Sequence, residues 1–546
     1  MRPTRVSRGK PHPQPEQTPE QIAAALEAFF AEYPKTIVSE QGKVLFDMRA
    51  AKYSLATEYG RCTLQLWSED RNIVRRVSAA IPRKAVLHLT THRFGHATPT
   101  VLELAGEVDR RTPSSRETTR TRFAMVLERM LARVFPDWTC DGIRTAMDLE
   151  KSFGPAYARG MLVQGRQAWA FIAVNAAETQ ATVDGILTLG VLWLAHCRER
   201  AAGRRVVRGL RMLVPRGTAA LTLSRMPWMS AEAAQWELWE YDDRTEELTP
   251  RDPIDAGNLA SHLVHAVSES AARERFAEPT ARVLALLPEP ARSLVEQRVR
   301  SSAEIAFLLH GLEFARIRAS YAGQRFERLA EITVGAGPNE TPLTPANTDE
   351  LERRIATLLE RRRPGADPRD PLFRTQTERW LESVLRHDLL PLDAHLNPAH
   401  VYTQVPAFAG SDRGMMDLLS VLNDGRLAVI EVKAEEDLHL ALQGLDYWVR
   451  VRWHHMQTAD HAGSQSLGMG EFQRHGYFAG VALSPRPPRL YLVAPALRIH
   501  PATEVVLRHL SPRVDWELAA VDERWREQLR VVWRKRSHGP EPRTHT

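Results

Sequence analysis

The spacing of apolar positions changes repeatedly along the chain, and the changes predict strands alternating with helices. In the last third, ERWLESVLRHDLL (378–390) has the spacing of an amphipathic helix, and VYTQVPAF (401–408) has the composition of a short strand. GMMDLLSV and RLAVIEVK flank the turn signal NDG (423–425), which predicts a β-hairpin. DLHLALQGLDYWVRVR (437–452) is again helical and precedes the apolar segment LYLVAP. This order of helix, three strands, helix and strand predicts an α/β domain.

The same succession occurs earlier in the chain, which indicates a tandem duplication with insertions. Each segment match is weak alone, but five occur in the same order over comparable spans. The pairs are ERMLARVF (128–135) with ERWLESVL (378–385), ARGML (158–162) with DRGMM (412–416), FIAVNAAET (171–179) with VIEVKAEED (429–437), LRMLVPRG (210–217) with LYLVAPAL (490–497), and QWELWEYDDR (235–244) with DWELAAVDER (515–524).

The duplication predicts an α/β fold with two α/β domains. Each has a mixed central sheet flanked by helices, and each follows a smaller β-rich or α+β module. The ends of the chain are rich in proline and charge, which predicts disorder there. The predicted pieces are a disordered 1–18, a β-rich module 19–110, an α/β domain 111–250, a helical plus β-rich module 251–365, a second α/β domain 366–532 and a disordered tail 533–546.

Composition narrows the class of protein further. With 546 residues, 43% hydrophobic and 26% charged, the chain predicts a globular protein with several cores. Its longest apolar run, ILTLGVLWLA, is about half the ~20 residues of a membrane span, and the N-terminus lacks the apolar segment of a secretory signal. Three cysteines without metal-ligand spacing suit a reducing compartment. We expect a soluble cytoplasmic protein without a membrane partner, whose net charge of +6 permits nucleic-acid binding.

A carboxylate and an amine interrupt the apolar strand RLAVIEVK at its end. Glu431 and Lys433 are two residues apart and therefore project from one face. Lys433 is the only lysine between residues 152 and 534 in a chain that otherwise uses arginine. Surroundings can lower the pKa of a lysine, whereas arginine stays protonated, so the two differ in acid–base chemistry. This pair predicts a chemical role for the end of the strand.

The hairpin turn decides which residue faces Glu431. If the loop has three residues with Gly425 in the left-handed conformation, Leu419 pairs with Val429, and Asp417 lies opposite Glu431. A two-residue loop would place the two carboxylates on opposite faces of the sheet. Two carboxylates facing each other repel, and a cation bound between them would offset that repulsion.

The preceding helix offers a third carboxylate, from Glu378 or Glu382, which lie four residues apart on one face. Glu382 is favoured because only that position differs between the copies. Three oxygen ligands suit Mg²⁺ or Mn²⁺, and the histidines at 454, 455 and 461 are interpreted as helix-end and loop polarity. The first copy has Ala132, Ala173 and Asn175 at the positions of Glu382, Glu431 and Lys433, and Val163, less securely, at that of Asp417.

Asp417 is followed, after thirteen intervening residues, by Glu431-Val432-Lys433. This spacing resembles that of the PD-(D/E)xK nuclease superfamily. The segment Q-G-L-D-Y (443–447) is similar to the Q-x-x-x-Y motif of its exonuclease-like branch. Met416 stands where the family has a proline before the aspartate. The resemblance covers roughly residues 370–500, and nothing comparable identifies the β-rich modules.

The resemblance implies that the two α/β domains are restriction-endonuclease-like, and that the protein is a metal-dependent nuclease with Mg²⁺ or Mn²⁺ as cofactor. Asp417 and Glu431 would bind the metal with the backbone carbonyl of Val432, helped through water by Glu382. Lys433 would position the attacking water or help to deprotonate it, and would stabilise charge on the phosphate.

The resemblance further implies that Gln443 and Tyr447 hold the nucleic-acid backbone, with DNA favoured over RNA. The degenerate first copy would form an internal pseudo-dimer with the active one. A second class stays open, since a fold does not fix function. The chain could be a non-catalytic nucleic-acid-binding or scaffold subunit of a defence or repair assembly.

Overall fold

The computed structural model describes residues 17–537, apart from gaps at 35, 41–42, 49–50, 59, 69–71, 84–85, 93–98, 106–112, 149–152, 243–244, 261, 323–326, 336–339, 410–411 and 457–469. Most of the two predicted disordered ends, and His461, lie outside the described residues. The chain forms two compact units, Met1–Arg122 and Phe123–Thr546.

The first unit is one antiparallel sheet covered by one helix. Helix α1 (Pro19–Glu32) begins at Thr18, which forms a capping box with Gln21, and its apolar face packs on the sheet. The sheet has the order β2-β1-β7-β6-β5-β4-β3. Its strands are β1 (Ile37–Glu40), β2 (Lys43–Asp47), β3 (Lys52–Glu58), β4 (Arg61–Trp67), β5 (Asn72–Arg83), β6 (Val86–His92) and β7 (Thr100–Ala105).

The second unit begins with a mixed six-stranded sheet in the order β13-β12-β11-β10-β9-β8. The strands β10, β11 and β12 are parallel, and the other neighbours are antiparallel. The elements are α2 (Pro113–Val134), β8 (Thr139–Arg144), β9 (Tyr157–Gln164), β10 (Gln167–Val174), α3 (Gln180–Asp184), α4 (Ile186–Ala201), β11 (Val206–Pro215), α5 (Ala220–Arg225), β12 (Gln235–Asp242) and β13 (Glu247–Arg251).

An antiparallel five-stranded sheet with its own apolar core follows. Strand β14 belongs instead to the next sheet, where it pairs with the edge strand, so the range 251–365 is not one separate module. The elements are α6 (Gly257–Ala260), β14 (His262–Leu263), α7 (Glu269–Arg275), α8 (Ala277–Ala285), α9 (Glu289–Arg292), β15 (Val295–Ser301), β16 (Glu304–Leu309), β17 (Leu312–Ala322), β18 (Glu327–Val334), β19 (Thr341–Pro342) and α10 (Thr348–Arg361).

The last sheet has the order β14-β20-β21-β22-β23-β24-β25 and repeats the strand directions of the six-stranded sheet. The two mixed sheets flanked by helices confirm the predicted α/β class. The elements are α11 (Pro371–Arg374), α12 (Thr377–His387), β20 (Leu396–Ala409), β21 (Asp412–Leu422), β22 (Leu427–Val432), α13 (Leu440–Met456), α14 (Glu471–Arg474), β23 (Arg489–Pro495), α15 (Pro501–Leu507), β24 (Trp516–Val521) and β25 (Val531–Arg536).

The two α/β halves share one apolar core, which contains side chains from both sheets and from α4 and α13. A short antiparallel bridge between residues 228–230 and 509–511 joins them, centred on Met229 and Leu510. Its two backbone hydrogen bonds, of 2.8 and 2.7 Å, exchange under a two-fold rotation. Helix α4 packs against α15, and α13 packs against α5. The halves are therefore related by a local pseudo-two-fold axis.

One expectation is wrong. The tail predicted as disordered begins as β25, because Arg534 and Arg536 pair with the buried carboxylate of Glu517 at 2.6 and 2.8 Å. Among the described residues, no helix is long and apolar enough to cross a bilayer.

Candidate active site

The hairpin of β21 and β22 has the predicted register. Leu419 pairs with Val429, and Val421 pairs with Leu427. Gly425 has φ +81° in the turn, a conformation that side chains disfavour, and a Cβ there would fall 2.1 Å from the carbonyl oxygen of Ala482. Glycine at 425 therefore sets the turn that fixes which strand residues face each other.

The ladder ends at the pair Leu418–Ile430, and Asp417 and Glu431 follow directly. Asp417 Oδ2 accepts a hydrogen bond from the backbone N–H of Val432 at 2.9 Å. The N–H and C=O of one strand residue point the same way, so the carbonyl of Val432 also points toward β21. The two carboxylates and this carbonyl are thus brought together at the open end of the sheet.

Burial makes the two carboxylates titrate as a pair. Burial first, and then the neighbouring Asp417, raise the pKa of Glu431 well above its ordinary value; the Glu431 side chain is 3% exposed. Burial also raises the pKa of Asp417, against the lowering effect of the Val432 N–H, of nearby cations and of a hydrogen bond from Glu431. Glu431 Oε2 is buried and receives no hydrogen bond from the described part of the chain. Two buried carboxylates with raised pKa values form a place where a cation would offset their mutual repulsion.

Lys433 completes the group, with Nζ 3.4 Å from Glu431 Oε1 and 3.6 Å from Glu378 Oε2. Burial lowers the pKa of Lys433, but Glu431, Glu378 and Asp417 together outweigh burial and leave this pKa above its ordinary value. Without a bound metal the amine is therefore held as a cation by the surrounding carboxylates. Its charge offsets the acidic pair.

The helix carboxylate that reaches Lys433 is Glu378, and not the expected Glu382. Glu382 is buried and faces two arginines, Arg379 at 3.0 Å and Arg298 of β15 at 3.4 Å. Burial raises the pKa of Glu382 to about 7, against the lowering effect of these arginines. Glu378 occurs in both copies, as Glu128 in the first, so the comparison of copies could not single it out.

Glu382→Gln is expected to flatten the pH dependence of stability between about pH 4.5 and 7. Because the folded-state pKa lies above the ordinary value, the unfolded chain releases this proton first. The wild type should therefore lose stability as pH rises through that window, and the glutamine variant should lose less. Urea unfolding midpoints across the window measure the difference. The exposed control Glu435→Gln should follow the wild type, and identical slopes for all three proteins would contradict the assignment.

Helix α13 brings the two predicted substrate residues to the same neighbourhood. A Cβ on Gly444 would fall 3.6 Å from Glu431 Cβ and 2.4 Å from Leu492 Cδ2, so the helix lies directly on β22 and β23. Burial, followed by the charges of Glu431 and Asp417, raises the pKa of Tyr447, which places its hydroxyl near the acidic pair. The amide oxygen of Gln443 is buried without a hydrogen-bond partner in the described part of the chain.

The first half has the same framework without this chemistry. Ala158 pairs with Ala173 across β9 and β10, where the second half has Asp417 beside Glu431. Val163 is therefore not the counterpart of Asp417. The first hairpin turns in two residues, so the apparent match of ARGML with DRGMM is out of register. Asn175, at the position of Lys433, accepts a hydrogen bond from the backbone N–H of Ala177 at 3.0 Å.

A glycine present in both copies aligns the central helices. A Cβ on Gly190 of α4 would fall 2.6 Å from Leu210 Cδ2, the same kind of close approach that Gly444 makes to its own sheet. This alignment puts Leu189 and Trp193 at the positions of Gln443 and Tyr447. The polar residues of the motif are thus apolar in the first half.

The group suits a cation bound mainly through water and substrate. Among the described residues, no three His, Cys, Asp or Glu side chains form a metal-holding set. Two carboxylates are nevertheless the common protein share of a Mg²⁺ site that keeps its waters and substrate phosphates. The unbonded Glu431 Oε2 beside Asp417 is consistent with such a site.

Comparisons with known proteins add little. No protein-family model matches the chain, and no curated protein sequence matches it. Among solved structures, a chain in the structure of an EndoMS–dsDNA2 complex is similar, with a TM-score of 0.16 and 11% identity over 40% of this chain and 93% of that chain. A similarity this low carries no weight for fold or function.

Proposed function

We propose that the protein is a divalent-metal-dependent nuclease that hydrolyses phosphodiester bonds of nucleic acid, with DNA favoured, through a PD-(D/E)xK-like site in its second half. The observation that carries the proposal is the buried pair of Asp417 and Glu431 at a strand end, with the amine of Lys433 3.4 Å from Glu431. Two adjacent carboxylates that can hold a divalent cation, beside the ammonium group of a lysine, match the needs of phosphoryl chemistry.

Asp417, Glu431 and the carbonyl of Val432 would hold Mg²⁺ or Mn²⁺, which supplies charge neutralisation and a more acidic water. Lys433 is charged and close to the pair, so it would bind a non-bridging phosphate oxygen and stabilise the charge that develops there. Glu378 lies 3.6 Å from the same amine and would orient it. Lys433 would also position the attacking water or help to deprotonate it.

Gln443 and Tyr447 would contact the nucleic-acid backbone beside the acidic pair. The unbonded amide oxygen of Gln443 and the partly buried ring of Tyr447 present a hydrogen-bond acceptor and a hydroxyl there. Both lie on α13, whose Gly444 contacts the strand that carries Glu431. One helix would therefore set both the substrate contacts and their distance from the reacting phosphate.

The proposal is tested with end-labelled single- and double-stranded DNA and RNA under Mg²⁺ and Mn²⁺. We expect cleavage that EDTA abolishes, with DNA cut faster than RNA, and the labelled ends will distinguish internal from terminal cutting. If no substrate is cut under either cation while oligonucleotides still bind, the chain is instead a nucleic-acid-binding subunit.

A single active half should cut one strand at a time. The first half has Ala158, Ala173 and Asn175 in place of the three reacting groups, so it has no carboxylate pair of its own. Supercoiled plasmid should therefore give nicked circles first and linear DNA only later, under conditions where each plasmid is cut about once. Linear product without a nicked precursor, from protein shown to be monomeric by light scattering, would contradict a single active half.

A further inference from the structure

The strongest polar contact between the two halves ends on the substrate helix. Arg225, at the end of α5 in the first half, forms a bidentate ion pair with Asp446 of α13, with Nε to Oδ1 at 2.9 Å and Nη2 to Oδ2 at 2.6 Å. Both side chains are buried. Arg225 also donates from Nη1 to the carbonyl of Asp184 at 2.7 Å, which ties the pair to the start of α4.

Asp446 lies within the Q-G-L-D-Y segment, three residues after Gln443 and one before Tyr447. Residues three apart are neighbours on a helix surface, so the ion pair adjoins Gln443. A second contact holds the same flank: His439, just before α13, has Nδ1 3.1 Å from Thr188 Oγ1 of the first half. Gln443 is therefore bracketed by two contacts that both come from the inactive half.

The pseudo-two-fold axis shows that this ion pair exists on one side only. The rotation that exchanges Met229 and Leu510 places Val506 at the position of Arg225. The alignment of the two central helices places Leu192 at the position of Asp446. Val506 is buried in the shared apolar core, and Leu192 is partly buried against the same core. Apolar residues thus occupy both symmetric positions, so the framework that the two halves share does not require charges there.

We infer that Arg225 is a positioning residue for the reaction of the other half, acting through Asp446 to fix the rotation of α13 so that Gln443 and Tyr447 meet the substrate. This inference rests on the proposed function. A bidentate pair fixes an angle as well as a distance, which an apolar contact does not. Positioning of α13 by Arg225 also gives the degenerate half a role in the reaction of the other half, beyond packing against it.

The decisive variant replaces the pair by its symmetric counterpart, Arg225→Val with Asp446→Leu. Apolar replacement of a buried ion pair is often neutral for stability, so the thermal unfolding midpoint should stay close to that of the wild type. Single-turnover cleavage of the best DNA substrate should nevertheless fall by roughly 10- to 100-fold, because misplaced substrate contacts slow the reaction. Wild-type cleavage by a stable double variant would overturn the inference.

Three further variants separate positioning from general loosening. Arg225→Val alone leaves the Asp446 carboxylate buried without its partner and should lower the unfolding midpoint as well as activity. Arg225→Lys keeps the charge but lacks the planar guanidinium that makes two parallel hydrogen bonds, so it should retain intermediate activity. The matched control is Arg513→Ala, which removes another arginine that crosses between the halves, bound to the carbonyl of Pro227 at 2.8 Å and lying over the ring of Trp228, and which has no part in the Asp446 ion pair. Equal losses in this control and in the double variant would contradict positioning.

Binding separates failure of this inference from failure of the proposed function. Anisotropy of a fluorescein-labelled DNA oligonucleotide, measured without divalent cation, should show affinity weakened several-fold in the double variant. If the wild type binds but cuts nothing, and the double variant binds less, the positioning role stands and the nuclease proposal falls. Unchanged binding with unchanged cleavage overturns the positioning role alone, and a wild type that neither binds nor cuts overturns both.

Discussion

Replacing Glu431 by glutamine is expected to reduce divalent-cation-dependent cleavage by about a thousandfold or more, with stability close to that of the wild type. Glu431 is buried, and burial and the neighbouring Asp417 raise its pKa, so the ionised carboxylate does not stabilise the fold without metal. Glutamine has nearly the same shape, and its amide can donate a hydrogen bond to Asp417 as the protonated acid does. The substitution therefore removes a charged ligand without creating a cavity or an unpaired charge.

Cleavage of labelled DNA and urea unfolding, the latter in EDTA, measure the two halves of this prediction. Glu435→Gln is the matched control, since Glu435 is an exposed carboxylate four residues further along the chain and should retain full activity. Equal activity of Glu431→Gln, in a preparation shown to be free of contaminating nuclease, would eliminate the proposed mechanism. A large loss of stability would show instead that the acidic pair has a structural role.

Lys433→Met is expected to reduce cleavage by about a hundredfold or more and, at the same time, to tighten divalent-cation binding by about tenfold. The ammonium group lies 3.4 Å from Glu431 and competes electrostatically with any cation placed between the carboxylates. Removing it leaves Glu431, Glu378 and Asp417 without that compensation. Activity and metal affinity should thus change in opposite directions, which a general disruption of the site would not produce.

Calorimetric titration with Mn²⁺ at pH 8, where protons compete less, measures the affinity, and the DNA cleavage assay measures the rate. Lys433→Arg is the conservative control: it keeps the charge, so cation affinity should stay near the wild-type value, while the bulkier planar group should lower the cleavage rate. Weaker cation binding in Lys433→Met would show that the amine supports the metal site in some other way.

The position of the acidic pair could be predicted because one turn determines it. Once Gly425 takes the left-handed conformation, the strand period of two assigns every later residue to a face, and Asp417 must meet Glu431. The α/β class followed from apolar spacing in the same way. Local rules are enough where the chain itself fixes the register.

The arginine partners of Glu382 could not be predicted, because a difference between copies does not reveal what a side chain touches. Glu382 meets Arg298, a residue 84 positions earlier on a different sheet, and no local pattern contains that contact. Glu378 reaches Lys433 across the fold and is retained in both copies, so the comparison missed it. Long-range contacts of this kind become visible only in three dimensions.

Two other predictions were wrong because the local sequence did not reveal the structural feature on which each depended. Sequence similarity matches Val163 to Asp417, whereas the shorter first hairpin places Ala158 at the position of Asp417. The basic run at 534–536 suggests a solvated tail, but Glu517, buried in the neighbouring strand, binds two of its arginines. Hairpin length and a distant buried carboxylate decided the outcome in each case.

Fusion of the two halves in one chain changes which substitutions are open to the molecule. In a dimer of identical subunits every substitution occurs twice, and a residue that improves one side of the axis must be tolerated on the other. Here Arg225 faces Asp446 on one side while Val506 and Leu192 occupy the other, a combination that identical subunits cannot encode. The covalent link therefore lets the two sides of one interface evolve separately, so that one half can specialise while the other supports it.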